Sequence, residues 1–154
     1  MLTIEPRARV RPVLVLAVGN PSRGDDALGP MLAGRLEALG RPDVEVLTDF
    51  QLQVEHALDM IGRRAVIFVD ASADGPAPYS WLGVCARAGS SATTHALSPG
   101  EVLGCYQRVV GDPPPSLVLA IRGGAFELGA PLSDAARANL DCALAALVER
   151  IDSL

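Results

Sequence analysis

The sequence predicts an α/β fold, a three-layer sandwich in which about five strands form a mostly parallel, twisted sheet with helices on both faces. Three observations support this fold class. Short apolar runs alternate with longer stretches of helical periodicity. The first apolar run has Val or Leu at nearly every position, which is typical of a parallel strand buried on both faces. No repeat or linker divides the chain, so residues 1–154 are expected to form one domain, with 1–11 as a loose N-terminal tail.

The first half of the chain predicts three strands, at 12–18, Val44–Leu47 and Ala65–Val69. The first helix is expected from about Gly29 to Leu39, where an apolar stripe ends just before a glycine. A second helix is expected from about Leu52 to Ile61.

The apolar stripe of this second predicted helix, which is expected to face inward, consists of Val54, Ala57, Leu58 and Ile61. His56 lies off that stripe, and we therefore expect it to be a surface residue.

The second half predicts two strands and two helices. A fourth strand, Tyr79–Ala86, follows the third without a helix between them, so it could run antiparallel at an edge. Residues 98–101 read SPGE, a capping box with proline at the first helical position, and the helix should bury Val109. Leu117–Ile121 is the fifth strand, and Ser133 is expected to cap the last helix.

Composition excludes several function classes. The formal net charge of −5 argues against a nucleic-acid partner. No apolar run approaches the length of a membrane span, so no membrane partner is expected. The widely spaced Cys85, Cys105 and Cys142 form no C-x-x-C pair, which suggests core filling in a reducing compartment, the cytoplasm.

The loop after the first strand has the G-x-x-x-x-G spacing of a phosphate-binding loop at Gly19 to Gly24. A phosphate loop continues with Lys and Ser or Thr, but here Asp25 and Asp26 follow. Two carboxylates would repel a phosphate, so the pair favours a cation site. The alternative is that one of them only caps the next helix. Asn20 could adopt a turn conformation or present its amide to a substrate.

More acids follow the next strands along the chain. Asp49 and Asp70 come after the second and third apolar runs, and parallel strands end at the same edge of a sheet. His95, shortly before a helix, is the candidate nitrogen ligand. Two carboxylates and an imidazole can hold a borderline divalent metal. Each residue has an alternative, because the acids could hydrogen-bond loop amides and a lone His in a polar loop is usually just exposed.

The segment at 19–29, which reads GNPSRGDDALG, carries a resemblance. It matches the motif G-N-x-x-x-x-D-D/E-x-x-G that follows the first strand in the nickel-iron hydrogenase maturation endopeptidases, and the chain resembles that family from Val13 to the last helix. The resemblance implies that Asp26, Asp70 and His95 contact the metal and carry catalysis.

The same resemblance implies the reaction. Such an enzyme cuts a C-terminal extension from the hydrogenase large-subunit precursor once nickel has been inserted. The nickel would arrive with the precursor, water would attack, and no organic cofactor is implied. Asn20, Asp25 and Asp49 would contact or orient the substrate.

One departure from the family lies after Asp49, where many members have a turn rich in Gly and Thr and this chain reads FQLQVEH at 50–56. That segment is expected to touch the partner. Two other functions stay open: a non-catalytic metal-sensing or chaperone-like module, and a magnesium-dependent phosphohydrolase that uses Asp25, Asp26 and Asp70.

Overall fold

The computed structural model describes residues 10–89 and 96–154. Its single five-stranded sheet is formed by β1 (Val13–Val18), β2 (Val44–Asp49), β3 (Ala65–Ser72), β4 (Tyr79–Gly83) and β5 (Ser116–Arg122). The strand order is β2-β1-β3-β5-β4. Four strands are parallel, and β4 pairs antiparallel with β5 at one edge. The predicted α/β class and the antiparallel edge strand are confirmed.

Four helices cover the two faces of the sheet: α1 (Leu28–Ala38), α2 (His56–Asp59), α3 (Pro99–Val109) and α4 (Asp134–Asp152). A 3-10 turn, Gly24–Ala27, precedes α1. Helices α1 and α4 pack on the face that receives Val13, Val15 and Ala17 of β1. Helices α2 and α3 pack on the opposite face, with the alternate β1 residues. Because β1 contributes to both cores, all six of its residues are buried.

Two local signals at helix N-termini are confirmed. Ser98 begins α3 with a complete capping box, in which its side chain accepts the Glu101 N–H and the Glu101 side chain accepts the Ser98 N–H. Ser133 caps α4 by accepting the N–H of Ala136 at 3.2 Å. Each cap supplies an acceptor for a donor that the helix cannot satisfy, so a short sequence is enough to specify the helix start.

The prediction for the second helix was wrong. Helix α2 spans only four residues, and Val54 and Leu58 are 53% and 58% exposed instead of facing inward. His56 is buried rather than on the surface. The physical reason is that both nitrogens of its ring have polar partners inside the protein, which turns α2 away from the side that apolar periodicity alone favours.

Three smaller predictions were also wrong. Val109, at the end of α3, is 74% exposed. Cys85 and Cys142 are exposed free thiols and do not fill the core, and Cys85 lies beyond the end of β4.

Within the ranges 10–89 and 96–154, no helix has the length and apolar character that crossing a membrane requires.

Candidate active site

Asp49, at the end of the edge strand β2, and Asp70, two residues before the end of β3, lie in one row near the carboxyl edge of the sheet. In the parallel register, Val18 of β1 is level with Asp49 of β2. Ala17 is level with Val69 of β3, so Asp70 is one step further along, beside Val18. Side chains alternate between the faces of a sheet, and this row belongs to the face that α2 and α3 cover. The sequence prediction that these strands end side by side is confirmed.

Asp26 belongs to the 3-10 turn that follows β1. The backbone N–H of Asn20 donates a hydrogen bond of 2.7 Å to its Oδ2 atom. Oδ1 of the half-buried Asp26 accepts no hydrogen bond from residues 10–89 and 96–154. The loop after β1 therefore orients one oxygen of the acid and leaves the other for a ligand.

Asp26 and Asp70 are close enough for their charges to interact. Partial burial raises the pKa of the Asp70 carboxyl to about 6, although the side chain remains accessible to solvent. The hydrogen bond from the Ala71 N–H, at 2.8 Å, opposes that rise, and the negative charge of Asp26 adds to it. Two carboxylates that repel each other are stabilised by a cation between them.

Asp25 is fully enclosed and makes contacts only within the protein. Oδ2 accepts hydrogen bonds from the N–H groups of Gly124 and Ala125 and from the Ser133 hydroxyl, and Oδ1 accepts the Ser133 N–H. Burial alone would raise the pKa of Asp25, but these hydrogen bonds outweigh it and hold the pKa below its ordinary value. Asp25, which the sequence predicted to contact substrate, ties the turn after β1 to the segment after β5.

Two glycines of the 19–29 segment permit the close approaches in this loop. Gly19 has a φ of 151°, and a Cβ there would lie 2.0 Å from the carbonyl oxygen of Asp26. A Cβ on Gly29 would lie 2.4 Å from the carbonyl oxygen of Val18. Because only glycine fits these positions, the spacing of the motif is a geometric requirement of a tight return from β1 into α1.

His95, the third predicted metal ligand, lies outside the described residues. In the segment that follows, the N–H of Leu97 donates to the carbonyl oxygen of Leu52 at 3.4 Å. Within 10–89 and 96–154, no group of three His, Cys, Asp or Glu side chains gathers that could hold a metal. Asp26 and Asp70 are close enough for one charge to affect the other, and their role as metal ligands stays a prediction.

Asp49 has a partner that sequence reasoning missed. Its Oδ2 atom lies 3.4 Å from Nε2 of His56, and its Oδ1 atom accepts the N–H of Phe50 at 2.7 Å. The available signal was a histidine seven residues after a strand-ending acid, but helical periodicity placed that histidine on the surface.

A small cavity adjoins Asp49 and the loop after β1. It has a volume of about 250 Å³ and is lined by Gly19, Pro21, Pro30, Thr48, Asp49 and Phe50. Asn20 adjoins it in sequence, and its Oδ1 atom accepts the Ser22 N–H at 2.9 Å. The Asn20 Nδ2 group has no partner in the described part of the chain, so it can donate to a bound carbonyl. A larger cavity, of about 740 Å³, lies around Arg41 and Val44 at the other end of β2.

Together these groups can engage a cation and a peptide at one edge of the sheet. Two carboxylates supply anionic oxygen ligands, and an unpartnered amide supplies a hydrogen-bond donor nearby. The same donor set suits a divalent metal with open coordination positions better than it suits a phosphate.

Comparison with known proteins identifies similar folds. No protein-family model and no curated protein sequence matches the chain. Among solved structures, the hydrogenase maturating endopeptidase HybD from E. coli superposes with a TM-score of 0.70 at 23% identity, over 92% of each chain. A hydrogenase maturation protease, HycI from Thermococcus kodakarensis KOD1, superposes with a TM-score of 0.68 at 22% identity, over 90% of this chain and 91% of that one.

A third solved structure, an endopeptidase from Escherichia coli, has a TM-score of 0.65 at 24% identity over 88% of each chain. These similarities extend over nearly the whole length of both partners, so they concern the complete sandwich and not one shared motif. The chain therefore has the fold of the nickel-iron hydrogenase maturation proteases.

Proposed function

We propose that this protein is a nickel-dependent maturation endopeptidase that removes the C-terminal extension of a nickel-iron hydrogenase large-subunit precursor after nickel insertion. The observation that carries the proposal is the approach of Asp26 and Asp70 at the carboxyl edge of a sheet with this fold. The three free cysteines suit a reducing compartment, and we assign the enzyme to the cytoplasm.

In this proposal Asp26, Asp70 and His95 contact nickel that the precursor carries in its own active site. The negative charge of Asp26 adds to the rise in the pKa of Asp70, which supports this assignment because a bound cation would favour the charged form of Asp70. A bound divalent metal can polarise a carbonyl or activate a water molecule. Nickel is thus part of the substrate, and the enzyme binds it before the peptide is cut.

The residues of this chain have separate tasks in the proposed reaction. The Asn20 N–H holds Asp26 in its orientation, and the Asn20 Nδ2 group donates to a carbonyl of the precursor tail. Asp49 orients the tail beside the cavity that it lines. Water attacks the scissile carbonyl carbon, the C–N bond breaks, and the leaving amine takes up a proton.

The test is to incubate the purified protein with nickel-loaded and nickel-free precursor and to follow the intact mass of the precursor. We expect a loss of the C-terminal extension with the nickel-loaded form only, and no loss with the Asp70→Asn variant. Equal cleavage of both precursor forms would contradict nickel dependence.

The two other functions give different results. Binding to nickel-loaded precursor without any loss of mass would support a metal-sensing or chaperone-like module instead. Release of phosphate from a small ester in the presence of Mg²⁺ would support a phosphohydrolase.

A further inference from the structure

The imidazole of His56 is held by polar contacts at both nitrogens. The ring is 8% exposed and lies at the start of α2. Its Nδ1 atom accepts the backbone N–H of Gln53 at 2.8 Å. A nitrogen that accepts a hydrogen bond carries no proton, so the neutral ring is protonated at Nε2. The Nε2 atom lies 3.4 Å from Oδ2 of Asp49, within the distance of an ion pair.

Asp49 is in turn connected to the loop after β1. Its backbone carbonyl oxygen accepts the N–H of Gly19 at 3.1 Å, and Oδ1 accepts the N–H of Phe50. The side chain is therefore oriented from two sides, by Phe50 and by His56. Gly19 immediately precedes Asn20, whose backbone orients Asp26.

The contact between Asp49 and His56 also closes residues 49–56 into a turn. The carbonyl oxygen of Leu52, inside this turn, accepts the N–H of Leu97. Leu97 is two residues after His95 in sequence. The turn at 49–56 is thus bonded to the loop that holds Asp26 and to the segment that leads from His95 into α3.

We propose that His56 is a positioning residue that orients Asp49 and holds the turn at 49–56 against both of these segments. This inference rests on the proposed function, because it concerns the same site. Loss of the Nε2 contact leaves the Asp49 carboxylate oriented from one side, by the Phe50 N–H, and outer contacts of this kind typically affect activity by about 10- to 100-fold. The loss should fall on kcat, with KM changed by less than about twofold, because positioning acts on the reacting geometry.

The test compares His56→Gln, His56→Asn and His56→Ala for processing of nickel-loaded precursor. Gln keeps an N–H donor near the place of Nε2, whereas Asn keeps an acceptor near the place of Nδ1. We expect Gln to retain most of the wild-type kcat, and Asn and Ala to lose about 10-fold or more. A residue that only closes the turn would give the opposite order, because Asn preserves the contact with the Gln53 N–H.

The combination of His56→Ala with Asp49→Asn tests whether the histidine acts through the acid. We expect the double variant to lose no more activity than the more damaged single variant, since both changes remove the same contact. Two outcomes would overturn the inference: losses of kcat in the two single variants that multiply in the double variant, or a wild-type kcat in every His56 variant. Because the wild-type protein would still cleave the precursor in both cases, the proposed function would stand.

A second measurement is independent of processing. Nitrogen-15 NMR of the metal-free wild-type protein should show the Nε2–H tautomer of His56. The amide signals of Gly19 and Leu97 should shift in both His56→Ala and Asp49→Asn, but not in the control variant Leu39→Ala at the exposed end of α1. Unshifted amide signals, or an Nδ1–H tautomer, would overturn the inference even if no precursor is cleaved.

Discussion

The carboxylate of Asp26 acts on that of Asp70 across the ends of β1 and β3, and its charge adds to the effect of burial on the pKa of Asp70.

The pKa of Asp70 can be measured in the metal-free protein. We expect a carboxyl titration midpoint near pH 6 by carbon-13 NMR. The Asp26→Asn change should lower this midpoint slightly and leave it above 3.8, because it removes a neighbouring negative charge while burial, the main cause of the rise, stays in place. Asp49→Asn is the matched control and should leave the midpoint unchanged. An Asp70 midpoint that is the same in the wild-type protein and in Asp26→Asn would show that the two acids do not interact.

The same shift predicts a pH dependence of stability. A pKa raised on folding means that the folded state binds more protons than the unfolded state between about pH 3.8 and 6. Protonation of Asp70 therefore raises the free energy of unfolding as the pH falls through this window. At pH 7 the charged carboxylate lowers it. Asp70→Asn should raise the Tm at pH 7 by up to about 2 °C while it abolishes processing. A clear fall in Tm would contradict this sign.

Asp25 is expected to matter for stability. Replacement of this buried acid by Ala leaves the N–H groups of Gly124, Ala125 and Ser133 without their acceptor, and should lower the free energy of unfolding by about 3 kcal/mol. Asp134→Ala, at an exposed acid in the first turn of α4, should cost about 0.5 kcal/mol. Urea denaturation measures both, and equal costs would contradict the structural role of Asp25.

A fall in pH should weaken the contribution of Asp25 to stability, whereas it strengthens that of Asp70. The pKa of Asp25 is lowered in the folded state, so its contribution is fully present above the ordinary value of 3.8. It is lost as the pH falls below 3.8 through the lower folded-state value. Unfolding curves between pH 2 and 5 should therefore converge for the wild-type protein and Asp25→Ala at the acid end, whereas parallel curves would argue against the lowered pKa.

Asn20→Ala tests the unpartnered amide beside the acids. The backbone N–H that orients Asp26 is retained, so we expect little change in Tm. Loss of one hydrogen bond to a substrate carbonyl should reduce kcat/KM by about 10-fold. Ser22→Ala is the control, since it preserves the backbone N–H that contacts Asn20. Equal rates for both variants in the precursor assay would remove the Asn20 amide from the site.

Phe50→Ala tests whether the turn at 49–56 contacts the precursor. The Phe50 side chain is 69% exposed beside Asp49, and an exposed aromatic ring of this kind is a typical interface anchor. We expect KM for the precursor to rise about 10-fold with an unchanged Tm. Leu39→Ala, which is 53% exposed on α1, should leave KM unchanged. An unaltered KM for Phe50→Ala would exclude this ring from recognition.

Local sequence was sufficient where the determining contacts are local. The apolar run of β1 encodes burial on both faces, and the SPGE segment at 98–101 supplies both partners of its own capping box. The order of apolar runs also predicted the shared carboxyl edge, because parallel strands end on the same side. That rule brought Asp49 and Asp70 into one row from sequences more than 20 residues apart.

Sequence by itself determined the fold class, the starts of α3 and α4 and the candidate acids, since strand burial and helix capping depend on near neighbours. Tertiary structure alone decided what each acid does. Asp25 is enclosed because it binds the N–H groups of Gly124 and Ala125, which lie about 100 residues further along the chain. His56 is buried because Asp49, across a turn, meets its ring. Local periodicity cannot encode such partners, because a hydrogen bond forms between atoms that folding has brought within reach, whatever their separation in sequence.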